Sequence, residues 1–350
     1  MRATTATINL KAIQHNYLVA KKLLPQAKAI AVIKANAYGH GAIKVATSLN
    51  KLADMFAVAC SEEALELRNS GINKPILLLE GLFAQSELAI AVKHNLSMVV
   101  ATPRQVKWLE KQKNRLKIFL KYDTGMHRLG FNQANIKEAL NKLSKHDITL
   151  MTHFANADEP NCSYTKQQID IFNHLVKPLK NKTSLSNSAA IMRQIEPNQD
   201  YIRPGIMLYG SAPIKQYQDK LIPAMTLTAP IIAINRLKQG DKIGYGSSYS
   251  CNKDSLIATV AIGYADGYPR HAPNGTKVLV NGKKCNLVGR VSMDMITIDI
   301  SSVKQVKLDD KVELFGENIK ADDLAASAGT ISYEIFTKIS KRVIFDYKSQ

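Results

Sequence analysis

The chain has 350 residues, 45% of them apolar, and a formal net charge of +18; this length suits two domains or one large barrel with an appendage, and the composition excludes global disorder. No apolar run reaches the ~18 residues of a membrane-spanning helix, and the start Met1-Arg2-Ala3-Thr4-Thr5-Ala6 lacks the apolar core of a signal segment. The scattered Cys60, Cys162, Cys251 and Cys285 form no Cys-x-x-Cys pair, which argues against a disulfide framework and a zinc site and fits a reducing cytoplasm.

The opening run Thr5–Leu10 alternates like a strand and could join either half of the chain. From about residue 29 to residue 203, short apolar runs alternate with amphipathic patterns. The expected strands are Ala29–Ile33, Phe56–Ala59, Pro75–Leu79, Leu96–Val100, Lys117–Lys121, Thr149–His153, Ser184–Ser188 and Tyr201–Arg203. Expected helices between them include Ser61–Asn69, Thr102–Gln112, Asn135–Leu143 and Thr165–Leu175. Several runs are apolar without alternation, as in parallel strands buried on both faces. Eight such strands with intervening helices predict an α/β fold, a (β/α)8 TIM-type barrel. No Gly-x-Gly-x-x-Gly follows the first strand, which counts against an open dinucleotide-binding sheet. From about Met225 the rhythm changes. Thr276–Val280, Met295–Ile300 and Lys311–Phe315 read as short strands, and Asn274-Gly275 and Asn281-Gly282 are hairpin signals. The division expected is residues 1–223 for the barrel and 224–350 for a mainly β domain. The basic residues are spread throughout, densest from Lys107 to Lys121. With no nucleic-acid recognition motif beside them, they read as a solvated surface favouring anionic ligands.

Barrel enzymes carry their chemistry at the C-terminal ends of the strands. Lys34 stands at such an end, after Ala31-Val32-Ile33. A lysine there is costly to bury without a task, and desolvation makes it a better nucleophile toward a carbonyl. Taken alone, it reads equally well as a snorkelling strand-end lysine.

The neighbours of Lys34 change that balance. Ile33-Lys34-Ala35-Asn36-Ala37-Tyr38-Gly39-His40-Gly41 closely resembles the cofactor-lysine motif of alanine racemases. Further blocks of similar kind follow in the family's order: Leu120 to Gly130, Thr152-His153-Phe154-Ala155, Asn187-Ser188-Ala189, Arg203 to Gly210, Gly244-Tyr245-Gly246, Ile262 to Tyr268, Gly289 to Asp294, and Tyr333-Glu334. The similarity covers nearly the whole chain, and nine blocks in order are far more specific than one.

The resemblance implies a cytoplasmic homodimer with active sites shared between subunits, in which the N-terminal strand joins the β domain. It implies pyridoxal 5′-phosphate as cofactor and interconversion of L-alanine and D-alanine by two bases, Lys34 and Tyr245, supplying D-alanine for peptidoglycan. Lys34 would carry the cofactor. Tyr38, Ser188, Tyr333 and the backbone of Gly205 and Ile206 would hold its phosphate; a glycine before a short helix suits an anion. Arg203 would face the pyridine nitrogen, and His153 would join Arg203 to Tyr245. Arg128, Tyr264 and the backbone near Met293 would bind substrate, and Lys121 would be carbamylated so that it pairs with Arg128. No metal is implied. Ser292 stands where the family often has cysteine, and Phe336 where a smaller aliphatic residue is expected.

Three other readings carry less. A non-enzymatic cofactor-binding barrel lacks the second domain. A basic amino-acid decarboxylase of this fold keeps a glutamate where Arg203 stands. A racemase of broader specificity is closer, but such enzymes are typically exported.

Overall fold

The computed structural model describes residues 3–348, and the chain divides into two compact units. One runs from Ile13 to Leu221; the residues before Ile13 and from Ile222 onward make the other.

β1 (Thr5–Asn9) belongs to the second unit. The first unit is a closed barrel of eight parallel strands in chain order: β2 (Lys28–Val32), β3 (Met55–Val58), β4 (Ile76–Leu78), β5 (Leu96–Val100), β6 (Lys117–Lys121), β7 (Asp147–Met151), β8 (Lys182–Ser184) and β9 (Tyr201–Ile202). β3, β4 and β5 are buried along their whole length, which is what their unbroken apolar runs are suited to. Helices such as Ser61–Asn69, Pro103–Glu110, Ile136–Lys142 and Tyr164–Val176 return the chain between strands. Thr102 caps Pro103–Glu110 with a capping box completed by Gln105, satisfying donors that the first turn cannot pair.

Two strands end two or more residues earlier than the sequence pattern suggests. β7 stops at Met151, leaving His153 beyond the ladder. β8 stops at Ser184 because the next two backbone N–H groups, on Leu185 and Ser186, donate instead to Gln199 Oε1 at 2.9 and 3.0 Å. Ser188 is therefore not on a strand; it opens the short helix Ser188–Met192. The cap of that helix is Asn187, whose Oδ1 accepts from Ala190 N at 3.1 Å, so the Ser188 hydroxyl is left for other work.

The second unit continues with β10 (Met225–Leu237), β11 (Lys242–Ile243), β12 (Tyr249–Ser250), β13 (Ser255–Val260), β14 (Lys277–Val280), β15 (Lys283–Leu287), β16 (Ile296–Asp299), β17 (Lys311–Phe315) and β18 (Ile344–Lys348). Eight strands form one sheet in the order β13-β16-β15-β14-β17-β10-β1-β18. β1 lies antiparallel to β10 and parallel to β18. Asn281 (φ 45°) and Gly282 (φ 75°) make the tight turn between β14 and β15, a turn whose positive dihedrals favour the Asn-Gly pair. Asn274-Gly275 joins no two strands. It precedes β14, and the Asn274 side chain bridges Ser248 O and Gly289 N at 2.9 and 2.7 Å. Phe336 is buried with its ring edge-on to Phe315, centroids 5.8 Å apart, so the sheet accommodates the larger side chain. No helix among the described residues is long and apolar enough to cross a membrane.

Candidate active site

Lys34 follows β2 after Ile33, whose N–H still donates to Ala57 O at 2.8 Å. The next four residues, Ala35, Asn36, Ala37 and Tyr38, all have φ between 52° and 54°. They form one left-handed turn, a conformation costing L-residues ~1–2 kcal/mol each. Surrounding bonds hold it. Ala37 N donates to Ile33 O at 2.9 Å, and Asn36 Oδ1 accepts from Ala42 N at 2.8 Å. His40 is fully buried against the turn, its Nδ1 2.9 Å from Tyr38 O and 3.2 Å from Ala37 O. Its ring lies 4.5 Å from that of Tyr209, which in turn lies 4.9 Å from Tyr38. Two carbonyl acceptors place the proton on Nδ1.

Burial lowers the His40 pKa from 6.5 to about 4. Above pH 6.5 both folded and unfolded chains leave it neutral. Between 6.5 and about 4 only the unfolded chain takes the proton, so this group should lower stability by ~3 kcal/mol as pH falls through that window. Denaturant unfolding across this range should show a steeper pH dependence for the wild type than for His40→Asn, by up to one proton; equal slopes would contradict it.

Tyr38, Ser188 and Gly205 meet at one point. Ser188 Oγ accepts from Gly205 N at 2.9 Å and from Met207 N at 3.4 Å. A Cβ added at Gly205 would stand 2.9 Å from Tyr38 Oη and 3.8 Å from Ser188 Oγ. Gly205 thus opens a small cradle lined by two hydroxyls and the N–H groups that begin the buried 3-10 turn Ile206–Tyr209, a donor set suited to an anion. Gly205→Ala should fill it and weaken anion binding there by ~10-fold or more, a steric cost of at least ~1.4 kcal/mol; titration with inorganic phosphate measures this.

Arg203 is buried and fixed by four contacts: Ser184 Oγ at 2.7 Å, Thr152 O at 2.8 Å, Leu185 O at 2.9 Å and His153 Nδ1 at 3.3 Å. Burial draws its pKa down to about 9, which still leaves it charged at neutral pH. A guanidinium only donates, so His153 accepts at Nδ1 and carries its proton on Nε2. Burial, then Arg203, Lys121, Arg128 and Lys34, hold the His153 pKa far below its ordinary value; the imidazole is neutral.

Lys121 ends β6 and is buried. Burial, followed by the charges of Arg203 and Arg128, lowers its pKa to about 8, against an opposing pull from Asp123. Four cations thus act on one small volume with Asp123 opposing them, and the site attracts anions. Arg128 is exposed on a loop closed by Asp123 N to Phe131 O at 2.9 Å and Phe131 N to Lys121 O at 2.8 Å. Inside the loop, Asp123 Oδ1 accepts from Gly125 N and His127 N, each at 3.0 Å.

Gln168 escaped the sequence reading. It is fully buried on Tyr164–Val176 and makes three bonds: Oε1 accepts from Ala155 N at 2.9 Å, and Nε2 donates to His153 O at 3.2 Å and Thr124 Oγ1 at 3.3 Å. It ties the Arg128 loop to the segment holding His153. The available signal was a polar residue on the helix face shared by Phe172 and Leu175. Gln168→Leu should leave these groups buried without partners and cost ~1–3 kcal/mol, lowering the melting temperature by ~2–4 °C per kcal/mol. An unchanged melt would contradict this latch.

Tyr245, Tyr264, Met293 and Tyr333 lie in the second unit. Tyr245 sits between Gly244 (φ 73°) and Gly246 (φ 68°) and is 72% exposed. Tyr264 and Met293 are exposed and adjacent, with Tyr264 N donating to Ser292 O and Ala265 N to Met293 O. The Tyr245 turn rests on the same segment, since a Cβ at Gly244 would stand 3.3 Å from Arg290 N. This is a patch of exposed aromatic and thioether surface. Tyr333 is half-buried on the helix Ser332–Lys338. No group of three or more His, Cys, Asp or Glu suited to a metal occurs among the described residues.

A family model described as the alanine racemase N-terminal domain matches residues 8–213, and one described as the alanine racemase C-terminal domain matches residues 224–347. The chain is 46% identical to the catabolic alanine racemase of Pseudomonas putida, covering 99% of each protein. The biosynthetic alanine racemase of Pseudomonas aeruginosa superposes with a TM-score of 0.95 at 43% identity, covering 99% of this chain and all of that one. The alanine racemase of Bartonella henselae, solved with covalently bound pyridoxal phosphate, superposes with a TM-score of 0.92 at 29% identity over 99% of this chain and 100% of that one.

Proposed function

The chain belongs to the alanine racemase family, an isomerase family, and on that premise we propose that its barrel holds pyridoxal 5′-phosphate on Lys34 and that Lys34 and Tyr245 exchange the α-proton of alanine. The observation that carries this is the placement of Lys34 directly before a braced left-handed turn whose last residue, Tyr38, reaches the Ser188–Gly205 cradle. Bound there, the cofactor would supply electron withdrawal that makes the α-proton of the substrate removable.

The chain's own groups do the rest. Tyr38, Ser188 and the N–H groups of Gly205 and Ile206 would hold the phosphate, the Gly205 N–H turning to it from Ser188 Oγ, and Tyr333 would be the fifth donor. Arg203 would face the ring nitrogen as a hydrogen-bond donor that keeps its own proton, an arrangement that would moderate electron withdrawal and favour prompt return of a proton to the α-carbon. His153, neutral and fixed by Arg203, relays this hydrogen bonding toward Tyr245. Arg128 binds the substrate carboxylate, as a planar fork of donors suits, and Tyr264 and the backbone at Met293 complete the substrate pocket.

Lys121 needs a partner other than more cations. With a pKa of about 8, a sizeable fraction is the free amine at neutral pH. That amine attacks carbon dioxide, an N–C bond forms, and a proton leaves to solvent, producing a carbamate anion able to pair with Arg128. Lys121→Ala should lose activity and regain part of it with added chloride. A crystal structure with unmodified Lys121 in clear density beside Arg128 would contradict the assignment.

The exposed patch of Tyr245, Tyr264 and Met293 supports a homodimer in which each barrel is completed by the partner's β domain. Mixing inactive Lys34→Ala with inactive Tyr245→Phe should restore activity, since one hybrid site regains both bases. No recovery after proven subunit exchange would refute shared sites. Supply of D-alanine for peptidoglycan in the cytoplasm is the role we assign. Biosynthetic and catabolic enzymes both stand among the relatives, and D-alanine auxotrophy of a deletion strain separates the two. Borohydride reduction of the purified yellow protein, followed by peptide mapping, should place the cofactor on Lys34; label on another lysine overturns the reading.

A further inference from the structure

The left-handed turn after Lys34 is anchored from outside its own segment. Glu63, on the helix Ser61–Asn69, accepts from Ala35 N through Oε1 at 2.7 Å and from Ala59 N through Oε2 at 2.8 Å. Ala35 is the first residue of the turn and the immediate neighbour of Lys34; Ala59 immediately follows β3. One carboxylate therefore bridges the C-terminal ends of β2 and β3 through two charge-assisted bonds, the strong class of hydrogen bond.

We propose that Glu63 is a positioning residue for Lys34, clamping the strained turn so that the lysine is held in the geometry needed to capture the cofactor and exchange a proton. Four consecutive residues at positive φ store a cost of several kcal/mol, so the turn persists only where its surroundings over-determine it. The bonds from Asn36 and His40 brace its far end. Glu63 fixes the end that carries Lys34. A carboxylate fits both N–H groups with one oxygen each. A glutamine of the same shape has one good acceptor and turns its NH2 toward the other N–H. The proposal rests on Lys34 being the cofactor lysine.

The test compares three variants of the full holoprotein. Asp54→Asn serves as the control, because Asp54 clamps the opposite end of β2, accepting from Ala29 N at 2.8 Å and Lys21 Nζ at 2.9 Å. Glu63→Gln should raise the pyridoxal phosphate concentration for half-restoration of the cofactor absorbance by about 10- to 100-fold, the range for losing a bond to a charged group. Hydrogen exchange at the Ala35 amide should accelerate, and kcat should fall more than KM for alanine rises. Glu63→Asp, which keeps both acceptors on a shorter arm, should recover part of the loss. Asp54→Asn should lower the melting temperature without weakening cofactor retention. Wild-type protein labelled at Lys34 together with Glu63→Gln of normal cofactor affinity and normal Ala35 exchange would overturn the proposal. So would equal loss of cofactor by Asp54→Asn at a matching melting temperature. Wild-type protein unlabelled at Lys34 overturns instead the assignment of Lys34, and this proposal with it.

Discussion

Tyr245→Phe should reduce racemisation in both directions by ~10²–10⁴-fold, the usual loss when a positioned base is removed. The substitution deletes one oxygen from a half-turn held open by Gly244 and Gly246 and leaves folding intact, so the melting temperature should not move. Racemisation removes a proton from one face of the α-carbon and delivers one to the other, which two groups can do without turning the substrate over. With Tyr245 assigned to L-alanine and Lys34 to D-alanine, the variant should still exchange the α-proton of D-alanine in deuterated water, faster than that of L-alanine. Near wild-type turnover, or preferential exchange of the L-enantiomer, would show that this residue has been given the wrong role.

Lys34→Ala should be more damaging still, with activity down by more than ~10⁴-fold, because on the proposed reading one side chain serves as both the covalent anchor and a base. The protein should lose its yellow colour yet melt close to the wild type, since the turn after Lys34 is held by backbone and by other side chains. Retained turnover would place the anchor elsewhere. Retained colour with lost turnover would separate the anchor from the base.

Much of this was legible in the residues. The unbroken apolar runs of β3 to β5 announced strands covered on both faces, and the Asn281-Gly282 pair marked its hairpin. Strand ends were harder to read, because side chains decide them. Gln199 takes the N–H groups that would have extended β8, and Asn187 rather than Ser188 caps the helix that follows. Composition also hid the left-handed turn, since Ala-Asn-Ala-Tyr carries no glycine to announce positive φ. The Glu63 clamp and the Gln168 latch were illegible for a related reason. Each joins segments far apart in sequence, and a Glu or Gln on a helix ordinarily reads as solvent-facing. The cationic crowd around Lys121 could be suspected from Lys121 and Arg128, but only the closed barrel brings Arg203 and Lys34 to the same end.

The central claim is the reaction, and incubation of the purified holoprotein with L-alanine, followed by chiral separation, tests it most directly. D-alanine should accumulate until the two enantiomers are equal, because they have equal free energy in solution, and the same end point should be reached from D-alanine. L-alanine unchanged by protein that carries its cofactor on Lys34 would contradict the account.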